Sequence, residues 1–336
     1  MKIAVLGLGF MGSTHLKALK SVPEATLAAI LSNDERARDG DLSGVQGNFS
    51  GPGDHFDFSN VRKYRDAAEL IADPEIDAVD ICLPTFLHAP VALQALLAGK
   101  HVLVEKPMAL TGNDADELVR VAHRRNRVLM SAQVLRFFPQ YQALRDTLPT
   151  LGATRQAIFR RRCAAPAWSK WLHNKAKSGG GVFDLLIHDI DMALWLFGMP
   201  LRISATGSED LARGIDILTA MLFYPKGMTV TITGGWHHPK SYPFSMEYTV
   251  VADGGTIEYS SAGVAPTLYL GNGSAAPLEL GAHDGYVEEI RYFTQCVKAN
   301  RQPEFCTPES SAQAVKLALL LQEARNRNGE VIPCHI

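Results

Sequence analysis

The stretch Lys2–His15, KIAVLGLGFMGSTH, decides the fold. A strand-like apolar run ending at Leu6 meets Gly7, Gly9 and Gly12 in G-x-G-x-x-G spacing, and a helical pattern follows. At a strand-to-helix turn each glycine has a use. The first permits the tight turn, the second lets backbone approach a pyrophosphate, and the third lets the helix pack close on the strand. The helix amino terminus at Phe10, Met11 and Gly12 would then face the phosphates. Position and flanks make the motif a dinucleotide fingerprint; a plain βα turn is the alternative.

Working outward, further β-rich runs at Leu27–Leu31, Ala78–Leu83, His101–Val104 and Val128–Met130 alternate with helical patterns. That alternation predicts a doubly wound parallel sheet, whose ligands bind outside the carboxyl ends of the strands. HAPVALQALLAG, for example, has helical spacing and stops at a glycine. One segment, Asp39–Asn60, is rich in glycine, serine and aspartate and reads as a long mobile loop. After about Thr150 the pattern changes to longer alternating strands (TRQAIFRRRC, ILTAMLFYP, MTVTITGGW, MEYTVVAD, GTIEYS). Helical segments at Val182–Phe197, Tyr286–Ala299 and Ser310–Asn326 accompany them, so this half reads as an α+β domain with an antiparallel or mixed sheet. The expected division is 1–130 for the dinucleotide domain and 131–336 for a substrate-binding and oligomerisation domain, with the C-terminal helices able to pack back on the first.

The 336 residues, 46% apolar and 20% charged, suit a soluble two-domain protein. A formal charge of −2 provides no field for nucleic acid or an anionic membrane. Five cysteines at irregular spacing, without a C-x-x-C pair, read as reduced thiols of a cytoplasmic protein. No stretch reads as a signal peptide or membrane span.

The second strand ends at Ser32, where NAD-specific sites place an acid on the ribose 2′-hydroxyl. Ser32 and Asn33 remove that repulsion of a 2′-phosphate, and Arg36 and Arg38 are in reach of one, so the reading leans to NADP over NAD. The arginines could equally lie on a solvated loop.

HVLVEKP places Glu105 and Lys106 at the carboxyl end of a buried strand, near the expected cofactor. Oxidising an alcohol requires a proton acceptor within hydrogen-bond reach of the hydroxyl, and a lysine partly withdrawn from water gives up its proton more readily. A surface ion pair is the plain alternative. Asp184 and His188 sit at i and i+4 of a helical pattern, hence on one face. His237 and His238 alternate across a strand and no ligand framework surrounds them, so no metal is expected.

Taken together, GLGFMG, DAVDICLPTFLH, HVLVEKP and SGGGVFDLLIHDIDMALWLFG resemble the Gfo/Idh/MocA oxidoreductases, in order and over nearly the whole chain. The resemblance implies a Rossmann domain, then a domain with an open, mostly antiparallel sheet, and an active site between them. It implies Lys106 as an active-site residue, often followed by a cis proline bond, with His188 as general base and Asp184 as a substrate-contacting partner. Glu105 braces the loop. Pro84, Thr85 and His88 fall in the cofactor-contacting loop, His88 being alternatively a helix-start residue. Gln133 and Arg136 fall where relatives line the crevice, and Asp191 continues the helical face, binding substrate or fixing His188. Arg160, Trp168 and Trp171 could line a sugar pocket, with core packing or oligomer contact equally open.

The expected activity is hydride transfer between NAD(P) and a sugar, polyol or related cyclic alcohol. Competing readings are a catalytically silent dinucleotide sensor, and a reductase of imines or enones or an oxidant of unsaturated cyclic diols. An exposed sheet face in the second half predicts a homodimer or homotetramer.

Overall fold

In the computed structural model, which describes residues 1–47 and 54–336, the chain divides into two compact units, 1–134 with 284–312, and 135–283 with 313–336. The expected boundary at 130 moves by four residues, and the segment 284–312 joins the first unit.

The first unit runs β1 (Lys2–Leu6), α1 (Phe10–Leu19), β2 (Thr26–Leu31), α2 (Glu35–Arg38), β3 (Arg62–Tyr64), α3 (Ala67–Ala72), β4 (Ala78–Ile81), α4 (His88–Leu97), β5 (His101–Glu105), α5 (Gly112–Arg125) and β6 (Leu129–Ala132). All six strands are parallel, in the order β3-β2-β1-β4-β5-β6. The chain reverses direction of winding at β1/β4, the place where such sheets open a ligand crevice. Ile3, Ala4, Val5 and Leu6 are fully buried, as are Val102, Leu103 and Val104, because helices cover both faces. That is why these strands read as continuous apolar runs. Helix starts follow local chemistry: Asp34, Asp66 and Thr111 each accept backbone N–H bonds from the first turn of α2, α3 and α5.

β3, three residues at the sheet edge, is absent from the sequence reading because RKY is too short and polar to show a strand period. The Asp39–Asn60 segment departs from a structureless loop where it is described. Asp41 bridges His55, and Leu42, Phe56 and Phe58 are buried against Val5, Leu8 and Ile30. Its middle, 48–53, lies outside the described residues.

The second unit contains α6 (Pro139–Thr147), β7 (Thr154–Cys163), α7 (Lys175–Ser178), α8 (Ile187–Phe197), β8 (Arg202–Asp210), β9 (Ile215–Phe223), β10 (Thr229–Trp236), β11 (Ser245–Ala252), β12 (Gly255–Ser260), β13 (Val264–Leu270) and β14 (Ala275–Pro277). Then α9 (Gly285–Lys298) returns to the first unit, followed by α10 (Pro308–Asn326) and β15 (Ile332–Pro333). The second sheet has nine strands in the order β14-β13-β12-β11-β7-β10-β9-β8-β15, antiparallel except for β7 beside β10. The expected mostly antiparallel sheet is what forms. Along β7, Ala157, Phe159, Arg161 and Cys163 point into the core while Arg160 and Arg162 point to the opposite face.

Candidate active site

In the first unit the glycines behave as their spacing demands. Gly7 has φ +94°, and a side chain there would stand 2.6 Å from the Cys82 carbonyl oxygen. A Cβ on Gly12 would meet the Gly7 carbonyl oxygen at 1.9 Å, so only glycine allows α1 to approach β1 this closely. Gly9 faces open space, and no side chain caps α1. The first-turn amides of Phe10, Met11 and Gly12 therefore remain available to an anion, which is the fit a dinucleotide pyrophosphate needs.

At the end of β2, Ser32 Oγ accepts from the Asp34 amide at 3.1 Å, and Asn33 is exposed. Arg38 is not in reach of a ribose phosphate: it is buried and donates to the Ser32 carbonyl at 2.6 Å. Arg36 is 73% exposed at its side chain and pairs with Asp41.

Glu105 ends β5 buried, and its Oε2 accepts the Lys106 amide at 3.0 Å. Lys106 itself is partly buried, and the Lys106–Pro107 bond is cis. Of the neighbouring loop, Pro84 is partly exposed but Thr85 is buried. His88 is 2% exposed, with Nδ1 2.8 Å from the Pro107 carbonyl and Nε2 2.7 Å from the Leu83 carbonyl. It ties together the loops after β4 and β5 and presents no surface to a cofactor; burial holds its ring neutral. Gln133, at the end of β6, is 2% exposed, and its Oε1 has no hydrogen-bond partner among the described residues. An orphan acceptor at a strand's carboxyl end fits a cofactor or substrate donor.

In the second unit a π-helical turn, Val182–Leu186, leads into α8. Such turns concentrate at functional sites because the extra residue re-aims side chains. Throughout Gly181–Leu194 every residue is buried except Asp184 and His188. The neighbouring carboxylates are committed to the core. Asp189 accepts two bonds from Arg161, at 2.8 and 3.0 Å, and Asp191 accepts two from Arg136, at 2.9 and 2.6 Å.

Three of the candidates sit in ion pairs. Asp191 is 1% exposed with both oxygens on Arg136, so of its two expected roles the geometry favours fixing the helix that bears His188 over binding substrate. Arg136, 2% exposed, is its partner instead of a crevice residue. Arg160 pairs across strands with Glu247, on the sheet face opposite Arg161 and α8, and is not brought to Asp184 and His188. Trp171 packs on the cluster of Cys163, Leu172, Leu185 and Trp236, beside the π-helical turn, whereas Trp168 is exposed. Arg161, Asp189 and Trp236 were not singled out in the sequence. The inward phase of β7 and the i, i+4 spacing to Leu185 were their only traces.

Among the described residues one grouping of metal-ligating types occurs, His15, Asp80 and Cys82. His15 Nδ1 and Asp80 Oδ2 are 2.8 Å apart, whereas two nitrogen or oxygen ligands of a tetrahedral zinc stand roughly 3.3 Å apart. The spacing is that of a hydrogen bond. Burial, reinforced by Asp80, also pushes the Cys82 thiol well up.

Comparison with known proteins identifies relatives of both units. Residues 1–133 match the family described as "Oxidoreductase family, NAD-binding Rossmann fold", and residues 142–258 match the GFO/IDH/MocA C-terminal domain. A trans-1,2-dihydrobenzene-1,2-diol dehydrogenase of Mus musculus is 30% identical, over 82% of this chain and 84% of its own. A myo-inositol 2-dehydrogenase of Thermotoga maritima is 27% identical, over 98% and 96%. A levoglucosan dehydrogenase solved with NADH and levoglucosan shares the fold at a TM-score of 0.84 and 18% identity, covering 99% of both chains. With a glycine turn, a buried strand ending in Glu105-Lys106-Pro107 and a matched C-terminal domain, this chain belongs to the Gfo/Idh/MocA family of oxidoreductases and carries its NAD-binding Rossmann fold.

Proposed function

We propose that the protein is an NAD(P)-dependent dehydrogenase of a sugar, polyol or related cyclic alcohol. The observation that carries this reading is the exposure pattern of Gly181–Leu194, where a buried helix start leaves only Asp184 and His188 accessible. A bound nicotinamide supplies the hydride acceptor or donor. The amides at the start of α1 bind its pyrophosphate, and Gly9 leaves room for it. His188 takes the hydroxyl proton as general base and Asp184 orients the substrate by hydrogen bonding, while the family resemblance gives Lys106 an assisting part in proton transfer. The family resemblance and the dehydrogenase names of the inositol and diol relatives support the substrate class. The name of the murine relative favours one second reading, oxidation of an unsaturated cyclic diol.

The absence of an acid at Ser32 and the exposed Arg36 favour NADP, with Arg36 leaving Asp41 to meet the 2′-phosphate. A cytoplasmic homo-oligomer is part of the same reading. The face of the second sheet opposite α8 carries Thr219, exposed Met221 and the Arg160–Glu247–Arg162 row. Among the described residues no helix is long and apolar enough to cross a membrane.

The test is to titrate the purified protein with NADH and NADPH by fluorescence, then supply a panel of polyols, aldoses and an unsaturated cyclic diol with either oxidised cofactor. Reduction of the cofactor by a panel member supports the reading. Tight binding without turnover on any of them would replace it with a dinucleotide sensor.

A further inference from the structure

One buried cluster in the first unit has no part in the reaction above. His15 lies on α1, fully buried, eight residues after Gly7. Its Nδ1 is 2.8 Å from Asp80 Oδ2 on β4, and its Nε2 is 3.1 Å from Glu105 Oε1 on β5. The other Glu105 oxygen accepts the Lys106 amide at 3.0 Å. A continuous series of contacts thus runs from Asp80 through His15 and Glu105 to the Lys106 backbone, crossing three elements. Only an imidazolium suits both carboxylates, hydrogen-bonding Asp80 through Nδ1 and facing Glu105 through Nε2 at an ion-pair distance of 3.1 Å without hydrogen-bond alignment.

The surroundings agree with that protonation state. Burial alone would drive the His15 proton off, but Asp80 outweighs it and holds the ring protonated well above its ordinary range. Glu105 is held ionised against burial by His15, with Lys106 adding to the effect. From α9, packed on α1, Glu289 and Tyr286 face the same cluster. Glu289 is fully buried, neither of its carboxyl oxygens has a hydrogen-bond partner among the described residues, and burial keeps it protonated. The Tyr286 ring centroid lies 6.3 Å from that of His15, and burial keeps its hydroxyl protonated too. One cation therefore serves two carboxylates, with no competing anion on α9.

We propose that His15 is a positioning residue for Lys106: clamped between Asp80 and Glu105, it fixes the carboxylate on which the Lys106 amide rests and so sets the direction in which β5 presents the lysine. His88 braces the other side, through the Pro107 carbonyl. The inference rests on the dehydrogenase reading only for its kinetic consequence, because the geometry exists whatever the substrate.

Two measurements test it. The first needs no substrate: the full-length protein is acetylated with acetic anhydride across a pH series, and the rate at Lys106 is read by peptide mass spectrometry, with exposed Lys17 and Lys226 as references. His15→Gln and the isosteric Glu105→Gln should each change the Lys106 rate by about twofold or more against the references, the lower end of coupling within one network. An unchanged Lys106 rate in both variants would overturn the proposal, and so would a change shared equally by all three lysines, which marks general loosening. If His15→Gln does not fold, Glu105→Gln decides alone. The second is a double-mutant cycle: His15→Gln should lower kcat by about tenfold or more with KM little altered, and should cost nothing further in a Lys106→Ala background. Multiplying losses would contradict the proposal. Absence of any dehydrogenase turnover undoes the functional reading while leaving the acetylation result to stand on its own.

Discussion

Replacing Asp189 by alanine should destabilise the second unit strongly, and the size follows from the geometry around it. Asp189 and Arg161 are 0% and 2% exposed, and the carboxylate accepts from Nε at 2.8 Å and Nη2 at 3.0 Å. Remaining neighbours of the guanidinium are the Tyr141 hydroxyl at 3.4 Å and the Met246 sulfur at 3.6 Å, neither of which carries charge. An arginine cannot shed its proton to escape. Removing the carboxylate therefore leaves a buried, uncompensated cation, a loss of about 3–5 kcal/mol. For a unit of this size that is roughly a 6–20 °C fall in Tm. Calorimetry or urea titration of Asp189→Ala measures it. The discriminating control is the double variant Arg161→Met/Asp189→Leu, which removes both charges and should recover most of the stability, because a buried pair gains little over packed apolar side chains. A single variant within about 1 kcal/mol of the parent, or a double variant as unstable as the single, would refute the reasoning. Since Asp189 follows His188 directly, the single variant should also lose turnover.

Other consequences are as direct. Lys106→Ala and His188→Ala should each lower kcat by about a hundredfold or more with dinucleotide affinity nearly intact, as read by steady-state kinetics and fluorescence titration; parental rates in both would remove them from the reaction. Ser32→Asp should move preference from NADP towards NAD, and Arg36→Ala should weaken NADP selectively, both scored as ratios of kcat/KM. His101 accepts the Val128 amide at Nδ1, and burial with Arg127 nearby lowers it to about 4. A base whose folded value lies below its unfolded value stabilises fully above the unfolded value and loses that contribution as pH falls. Stability should therefore decline between about pH 6.5 and 4, and His101→Gln should flatten that slope in urea titrations.

Much of the first unit was legible because its determinants are local. Five of the six parallel strands announce themselves as apolar runs, and Asp34, Asp66 and Thr111 mark helix starts by side-chain chemistry within three residues. The glycine turn was readable for the same reason: Gly7 and Gly12 approach within five residues of each other. Lys106, Asp184 and His188 were proposed through short motifs, and the latter pair are the two positions of Gly181–Leu194 that are not buried.

What the chain order could not show are the partners of buried charges. Arg160, Arg161 and Arg162 are equivalent in composition, yet the pleat of β7 sends Arg161 to Asp189 and the other two to Glu247 on the opposite face. Asp191 reads as one more acid on a helical face until Arg136, 55 residues earlier, takes both its oxygens. His15 looks like an ordinary helical residue, although its two nitrogens reach carboxylates 65 and 90 positions away. The same holds for 284–312, whose amphipathic helix specifies that an apolar face must be covered but not by which domain. Sequence by itself determined five of the six parallel strands, the glycine turn and the chemical types at the strand ends. Tertiary structure alone decided which buried charges pair and which remain for chemistry, because burying an ion is tolerable only beside a partner and that partner is chosen by distance in space.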